Sequence, residues 1–447
     1  MQSKYEMSHI SSITSEKHRL YAHSDKKIMR LKSRVIYTLV IFILTVNGIS
    51  LDLYGAKVTP DKAASLLLTI LLLFYISYGR KLKYGGRSGL VLLLWLLLSL
   101  VVNLMHVGSA DLIQHWLNLS VAAVWFYIIA NMTIDWKILQ SSVYKVSYLL
   151  GVMALAALIA RHFSFNPGGL TDYLVPRVVY LYRLVMFSWE PNIFGEIVAI
   201  GLLLMLPVYE TNIRKGAPVV ILLLIALIGA LSKGPWLSFA IGTFVYLLLT
   251  PKKRSIKLIA LIAMMSCGVV LFMMNYHEQV FNSSIIRSYD ITNVRLVQLQ
   301  HAYIDIVASP LFGNGTFSFG RMWPNLNVLY GGHQPDSAWI AQMPIGVLHD
   351  TGIVGLVLMI IFWFLLIPKA IKIILRGKRQ GFPKEFILFA SSIVASSFAL
   401  LVQDWATTLY SLPIYWAVMG LVAYIPMWAY KINENSQAGF TNKLKLL

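Results

Sequence analysis

The chain has 447 residues, of which 57% are hydrophobic and 13% charged, and its formal net charge is +19. Soluble domains carry about 25% charged residues, and the mean hydropathy here is +0.68, so a soluble globular protein is excluded and the class is polytopic membrane protein. The one cysteine, Cys267, lies in an apolar run, so neither an intrachain disulfide nor a thiolate metal cluster can form.

Residues 1–33 are polar and basic, with no leading apolar region and no small-residue cleavage site. That is not a secretory signal peptide, and the first span is expected to be an uncleaved anchor. Apolar runs then follow at 35–53, 63–79, 88–107, 116–133, 142–160, 192–209, 217–231, 235–250, 256–274, 345–367, 385–403 and 412–430. Most are close to the length a helix needs to cross hydrocarbon. The fold class predicted is an all-α polytopic membrane protein with about 12 transmembrane helices. A large, partly helical extracytoplasmic loop falls between helices 9 and 10. The chain divides accordingly into a basic tail (1–33), helices 1–9 (34–274), the loop (275–344), helices 10–12 (345–430) and a second tail (431–447).

Lys and Arg set the orientation. With the N-terminus in the cytoplasm, most of the 38 basic residues fall on inside segments, such as Lys26 to Arg34, Arg80 to Arg87, Lys252 to Lys257 and Lys369 to Lys384. This is the positive-inside bias, and it places both termini in the cytoplasm. It also accounts for the net charge, which lines an anionic leaflet and does not point to nucleic acid.

Two long segments then lie outside. In residues 161–191, Asn166-Pro167-Gly168-Gly169 signals a turn. Val178 to Phe187 reads as an amphipathic or re-entrant piece, and Pro191 suits a helix start. In the larger loop, Asp290 or Thr292 would cap a helix from about Asn293 to Val307. Arg295, Gln298, Ala302 and Asp305 share one face of it. Ser309-Pro310 ends this helix, and Gly313-Asn314-Gly315 turns the chain. Connections this long between spans are more often functional than not.

No P-loop, dinucleotide fingerprint, HExxH or GxSxG occurs. The outer face offers cations and candidate bases instead. The Arg295 guanidinium could hold a phosphate or diphosphate and stabilise a departing anion; binding to lipid headgroups or to Asp305 is its bland alternative. Arg287 is a weaker candidate of the same kind. Lys233, in the short turn Ser232-Lys233-Gly234-Pro235, could reach an anionic group or merely snorkel. His333 is the candidate base for an attacking hydroxyl, with Asp336, Glu190 and Asp350 as alternatives. Glu190 and Glu196 flank the start of a span, where a carboxylate is a functional hint. His349-Asp350, at the head of a span, reads equally as a structural pair holding the loop to the helix.

These residues form an order that resembles a family. Phe187-Ser188-Trp189-Glu190-Pro191-Asn192, Leu231-Ser232-Lys233-Gly234-Pro235-Trp236, Arg295 with Ser309-Pro310-Leu311-Phe312-Gly313-Asn314-Gly315, and His333 with Trp339 and Thr351-Gly352-Ile353-Val354-Gly355-Leu356 resemble motifs of the O-antigen ligase and O-antigen polymerase superfamily. The resemblance spans roughly residues 187–367. Two departures stand out. Lys233 replaces the usual Arg, and the interval from His333 to Gly352 is long, which makes Asp336-Ser337-Ala338-Trp339 an alternative counterpart.

The resemblance implies a membrane glycosyltransferase without cofactor or metal, which transfers a glycan with inversion from a polyprenyl-diphosphate-linked donor. The acceptor would be a hydroxyl of a glycan or lipid. It implies catalytic roles for Arg295 and His333 and substrate binding by Lys233, Arg287, Glu190 and Asp336. Membrane lipids and other envelope polysaccharide assembly proteins would be its partners. A transporter of the same lipid-linked glycan, or a non-catalytic assembly subunit, are the rival expectations.

Overall fold

The computed structural model describes residues 34–46, 51–53, 56–77, 86–106, 110–131, 135–162, 174–178, 181–184, 186, 190–250, 296–323, 340, 342–405 and 407–444. In these stretches the chain is a helical bundle. Its helices are α1 (Arg34–Thr45), α2 (Pro60–Ser77), α3 (Arg87–Met105), α4 (Ala110–Asn131), α5 (Trp136–His162), α6 (Pro191–Thr211), α7 (Ile213–Gly229), α8 (Lys233–Leu249), α9 (296–308), α10 (Phe319–Met322), α11 (Met343–Arg379), α12 (Lys384–Gln403) and α13 (Pro413–Leu444). Among the described residues, six are long and apolar enough to cross a membrane: α3, α4, α5, α6, α11 and α12. The expected run 256–274 lies outside the described residues, and so does most of the connection that follows it.

What these helices bury distinguishes them from soluble helices. On α3, Leu90, Leu93, Leu94, Leu97, Val101 and Leu104 are exposed at helical spacing. Ser88, Ser99 and Asn103 are buried on the opposite face together with Leu92 and Trp95. An aliphatic stripe turned outward and small or polar residues turned inward suit contact with lipid chains. α11 repeats the pattern, with Ile353, Val357, Ile360, Ile361 and Phe364 outward.

The centre of the bundle is α6 and α12, packed on each other and both on α8. α12 buries Ser391, Ser392, Ser396 and Ser397, whose hydroxyls donate to backbone carbonyls. Such side chains hide their own polar groups and let neighbouring backbones come close. Gly242 of α8 shows the same economy. A Cβ there would meet the Ala395 carbonyl at 3.1 Å and the Leu203 side chain.

Three departures from the sequence reading have local causes. α1 stops at Thr45, and the rest of the run 35–53 enters a hairpin in which β1 (Leu51–Leu53) pairs antiparallel with β2 (Ala56–Val58). Asp52 and Lys57 sit opposite each other there and do not suit a span. The segment Val178 to Phe187, read as an amphipathic or re-entrant piece, supplies one strand of a second hairpin, β3 (Leu174–Val178) with β4 (Leu181–Leu184). Its β-branched and aromatic residues favour strand pairing. At the other end, α11 and α13 run on to Arg379 and Leu444, past the apolar runs. Arg376, Lys378 and Arg379 in the last turn of α11 are good helix formers that oppose the helix dipole.

Candidate functional site

α9 ends where Ser309-Pro310 breaks it, and the chain turns back through Gly313 and Gly315, at φ +74 and +99. This turn docks on the start of α11, which is kinked at Gly352 (φ +64, ψ −169). The docking is backbone against backbone. The Asn314 and Gly315 amides donate to the His349 and Asp350 carbonyls at 2.8 and 3.0 Å, and the Ile353 amide donates to the Pro310 carbonyl at 2.9 Å. Side chains would destroy this fit. A Cβ on Gly313 would stand 2.6 Å from the Asp350 carbonyl carbon, and one on Gly352 would strike the Leu311 carbonyl. The two glycine motifs are therefore halves of one contact, and both need φ that glycine alone adopts freely.

Side chains lock the same joint. The His349 ring is fully buried. Its Nδ1 lies 3.0 Å from Asp350 Oδ1 and its Nε2 3.2 Å from Asp305 Oδ2. Asp305 Oδ2 also accepts the Trp323 indole N–H at 2.7 Å. Asp350 Oδ2 accepts the Phe317 amide at 2.9 Å and the Tyr410 hydroxyl at 3.3 Å. Phe317 holds a left-handed φ of +55 to do so, and its ring stacks on Tyr410. Burial, and then the Asp350 carboxylate, push the Tyr410 phenol well above its usual range, so it stays a neutral donor. Asn103 ties the loop to α3 and α4: its carboxamide oxygen accepts the Thr316 amide at 2.7 Å, and its NH2 donates to the Leu112 carbonyl at 2.9 Å.

A second group assembles beside it. Glu190 caps α6 and accepts from the Asn192 side chain, and Asn192 accepts from the Ser232 hydroxyl. Ser232 stands at the N-cap position of α8 without a side-chain capping bond, and the first residue of that helix, Lys233, is exposed. The next residue, Gly234, rests against the Gln403 carboxamide. Asp404 follows, buried, and burial pushes its carboxyl well above the carboxylate range. The Asp404 carbonyl accepts the Met343 amide at 2.7 Å. The Lys233 turn and the α9 joint thus meet at one start of α11.

The family model described as O-antigen ligase matches residues 218–360. This stretch is similar to the O-antigen ligase family. The likeness supports glycosyltransferase-type activity and, with the apolar helices, a membrane location in polysaccharide synthesis. Among curated proteins, none matches the chain. The O-antigen ligase stretch contains the Lys233 turn, α9, the Gly313 turn and the Gly352 kink; the Glu190-Pro191-Asn192 segment precedes it.

Of the residues singled out from sequence, Arg287, Arg295, His333 and Asp336 lie outside the described residues, although Arg295 is the residue immediately before α9. Lys233 and Glu190 come together through Asn192 and Ser232. Asp350, an alternative base, is buried and engaged by three donors. The shared face of α9 is the buried one, with Gln298, Ala302 and Asp305 all under 5% exposed. Reading the sequence missed Asn103, Tyr410, Gln403 and Asp404. Asp404 had a signal, being a carboxylate at the end of an apolar run.

Proposed function

We propose that this protein polymerises or ligates envelope polysaccharide, transferring a glycan from a polyprenyl-diphosphate donor to an acceptor hydroxyl on the outer face of the bacterial plasma membrane. Both termini are cytoplasmic in this reading. Arg295, with Lys233 and Arg287, holds the donor diphosphate and stabilises its departure. His333 takes the proton of the acceptor hydroxyl as the glycosyl bond inverts. Glu190 and Asp336 complete the binding set, Glu190 by fixing the Asn192–Ser232 link beside Lys233. Cations on the protein do the electrostatic work in this scheme, and no metal is assigned.

One observation carries the reading. The turn that bears Lys233 and the helix that follows Arg295 are both fastened to the start of α11, one through Asp404 and Met343, the other through His349 and Asp305. This attachment of the Lys233 turn and of α9 to one helix start supports a reading in which Lys233 and Arg295 share a diphosphate.

The test is surface glycan profiling in a deletion strain complemented with wild type, Arg295→Ala or His333→Ala, with each variant's membrane level checked. Single repeat units or unattached lipid-linked chains are expected from both variants. The first result assigns a polymerase and the second a ligase. A normal glycan ladder from both variants would overturn the site. Transport of the same glycan is a second reading, favoured by the burial of Glu196 within α6; it predicts donor retained on the inner face in both variants.

A further inference from the structure

α9 is amphipathic the wrong way round for a helix in water. Its buried face is the polar one, with Gln298 and Asp305 turned inward beside Ala302. Its outward face carries Leu296, Tyr303, Ile304 and Val307, each more than half exposed, and exposed Leu311 extends the stripe past the helix end. Steps of three, four and seven residues put these side chains on one face. Between residues 296 and 308, Asp305 is the one Asp, Glu, Lys or Arg, and it is buried. A surface helix that faces water sets its charged residues outward.

The spanning helices share this inverted pattern. α3 turns aliphatic side chains out and keeps small and polar ones in, and α11 shows the same outward stripe. Helices surrounded by lipid are built that way.

The stripe of α9 is also continuous with that of α11. The Ile353 amide donates to the Pro310 carbonyl at 2.9 Å, and the Val354 amide to the Leu311 carbonyl at 3.3 Å. Exposed Leu311 and Phe312 therefore stand beside exposed Ile353, where the outward stripe of α11 begins before running on through Val357, Ile361 and Phe364. The medium that covers the α11 stripe meets the α9 stripe at a shared edge. α9 spans residues 296–308, and at a rise of about 1.5 Å per residue it is about 20 Å long, short of a hydrocarbon core of about 30 Å.

We propose that the outward stripe of α9 is a lipid contact, with Leu296, Tyr303, Ile304, Val307 and Leu311 set among the acyl chains of the leaflet at the start of α11. α9 enters that leaflet without crossing the bilayer. It is held on one side by the protein, through Asp305 and His349, and on the other by lipid. The inference rests on the membrane reading of α11 and not on the reaction proposed above.

The test is a nitroxide scan of the full-length chain with Cys267 replaced, reconstituted in phosphatidylglycerol–phosphatidylcholine vesicles free of polyprenyl lipid. Labels are attached through Ile304→Cys, Val307→Cys and Leu311→Cys. These positions are exposed, and the melting temperature of each variant checks the fold. Val357→Cys and Ile361→Cys on α11 are the lipid references, and Gln380→Cys, exposed just past the end of α11, is the water reference. Collision of each label with oxygen, which concentrates in hydrocarbon, is compared with collision with a water-soluble nickel chelate.

At 304, 307 and 311 the ratio of oxygen to nickel collisions should match that at 357 and 361 and exceed that at 380 several-fold. A ratio equal to that at 380 would mean that the stripe faces water, and would overturn the contact. Weak collision with both reagents would mean that protein covers the stripe, either a second copy or another part of this chain, and would overturn it equally. A rise in the ratio that appears only after a polyprenyl phosphate is added would replace the bilayer with a prenyl chain as the occupant. A low ratio at 357 and 361 would overturn the membrane reading of α11 itself, an outcome those two labels report on their own.

Discussion

The His349 joint and the Lys233 turn lie at the same end of the bundle and handle charge in opposite ways. At the joint, three ionisable side chains are buried and face one another or a backbone or side-chain donor. At the turn, polar side chains are linked into a short chain, Glu190 to Asn192 to Ser232, and the next residue, Lys233, is exposed. A buried network whose members bind one another holds geometry first. An exposed cation on a rigid helix start, one residue past a cap, is held in place while staying open to an anion. The joint is architecture, and the turn is where recognition is to be sought.

That contrast breaks first at His349. Replacing it with Ala removes the ring between two buried carboxylates, and about 3–5 kcal/mol of stability should be lost. Thermal unfolding in detergent, with membrane level as a second measure, checks this. A melting temperature close to wild type would mean that the carboxylates find water, and the joint would then be no more closed than the turn.

The next largest effect should come from Gly352→Ala. The left-handed φ and the blocked Cβ direction together should destabilise by about 2–3 kcal/mol. Gly381→Ala supplies the comparison, since φ is +73 there but nothing lies within 4 Å of the added carbon. It should cost about 1–2 kcal/mol, the backbone contribution alone. Equal losses at the two sites would show that the docking of the Gly313 turn on α11 contributes nothing beyond backbone strain.

The parts of this joint that could be read from the sequence were those set by local chemistry. Ser309-Pro310 and Gly313-Asn314-Gly315 announce a helix end and a turn because proline and glycine restrict the backbone wherever they stand. Helical spacing put Arg295, Gln298, Ala302 and Asp305 on one face of α9, but not which face is buried; burial of Gln298, Ala302 and Asp305 shows that. His349-Asp350 was legible as a pair, and its structural alternative is the one the geometry favours. Its third member was not, because Asp305 is 44 residues away and only the docked turn brings it near. Asn103 and Tyr410 look like ordinary polar residues at span ends, and their roles exist only through Thr316 and Asp350. The two hairpins were missed for another reason: short apolar stretches do not distinguish strand from helix by periodicity.

Tyr410→Phe sharpens the comparison at smaller scale. It removes the 3.3 Å hydroxyl bond to Asp350 and leaves the ring stacked on Phe317. Asp350 keeps the Phe317 amide and His349 as partners, so about 1 kcal/mol should be lost. Transfer per folded molecule should be unchanged, as measured in vesicles. A lower rate at unchanged melting temperature would place Tyr410 in the reaction and blur the division between the two regions.

Lys233 should show the smallest effect on folding. Its side chain is exposed, so Lys233→Ala should change stability by no more than about 0.5 kcal/mol. Its effect on transfer should run the other way. A lost contact to a diphosphate that gathers charge as it leaves should slow transfer about 100-fold. Lys233→Arg is the informative partner, because a guanidinium can engage two phosphate oxygens where an ammonium engages one. Activity kept or raised in Arg and lost in Ala would mark the turn as an anion site. Equal activity in wild type, Ala and Arg would leave Lys233 a snorkelling cation, and the donor diphosphate would then have to be held by the arginines alone.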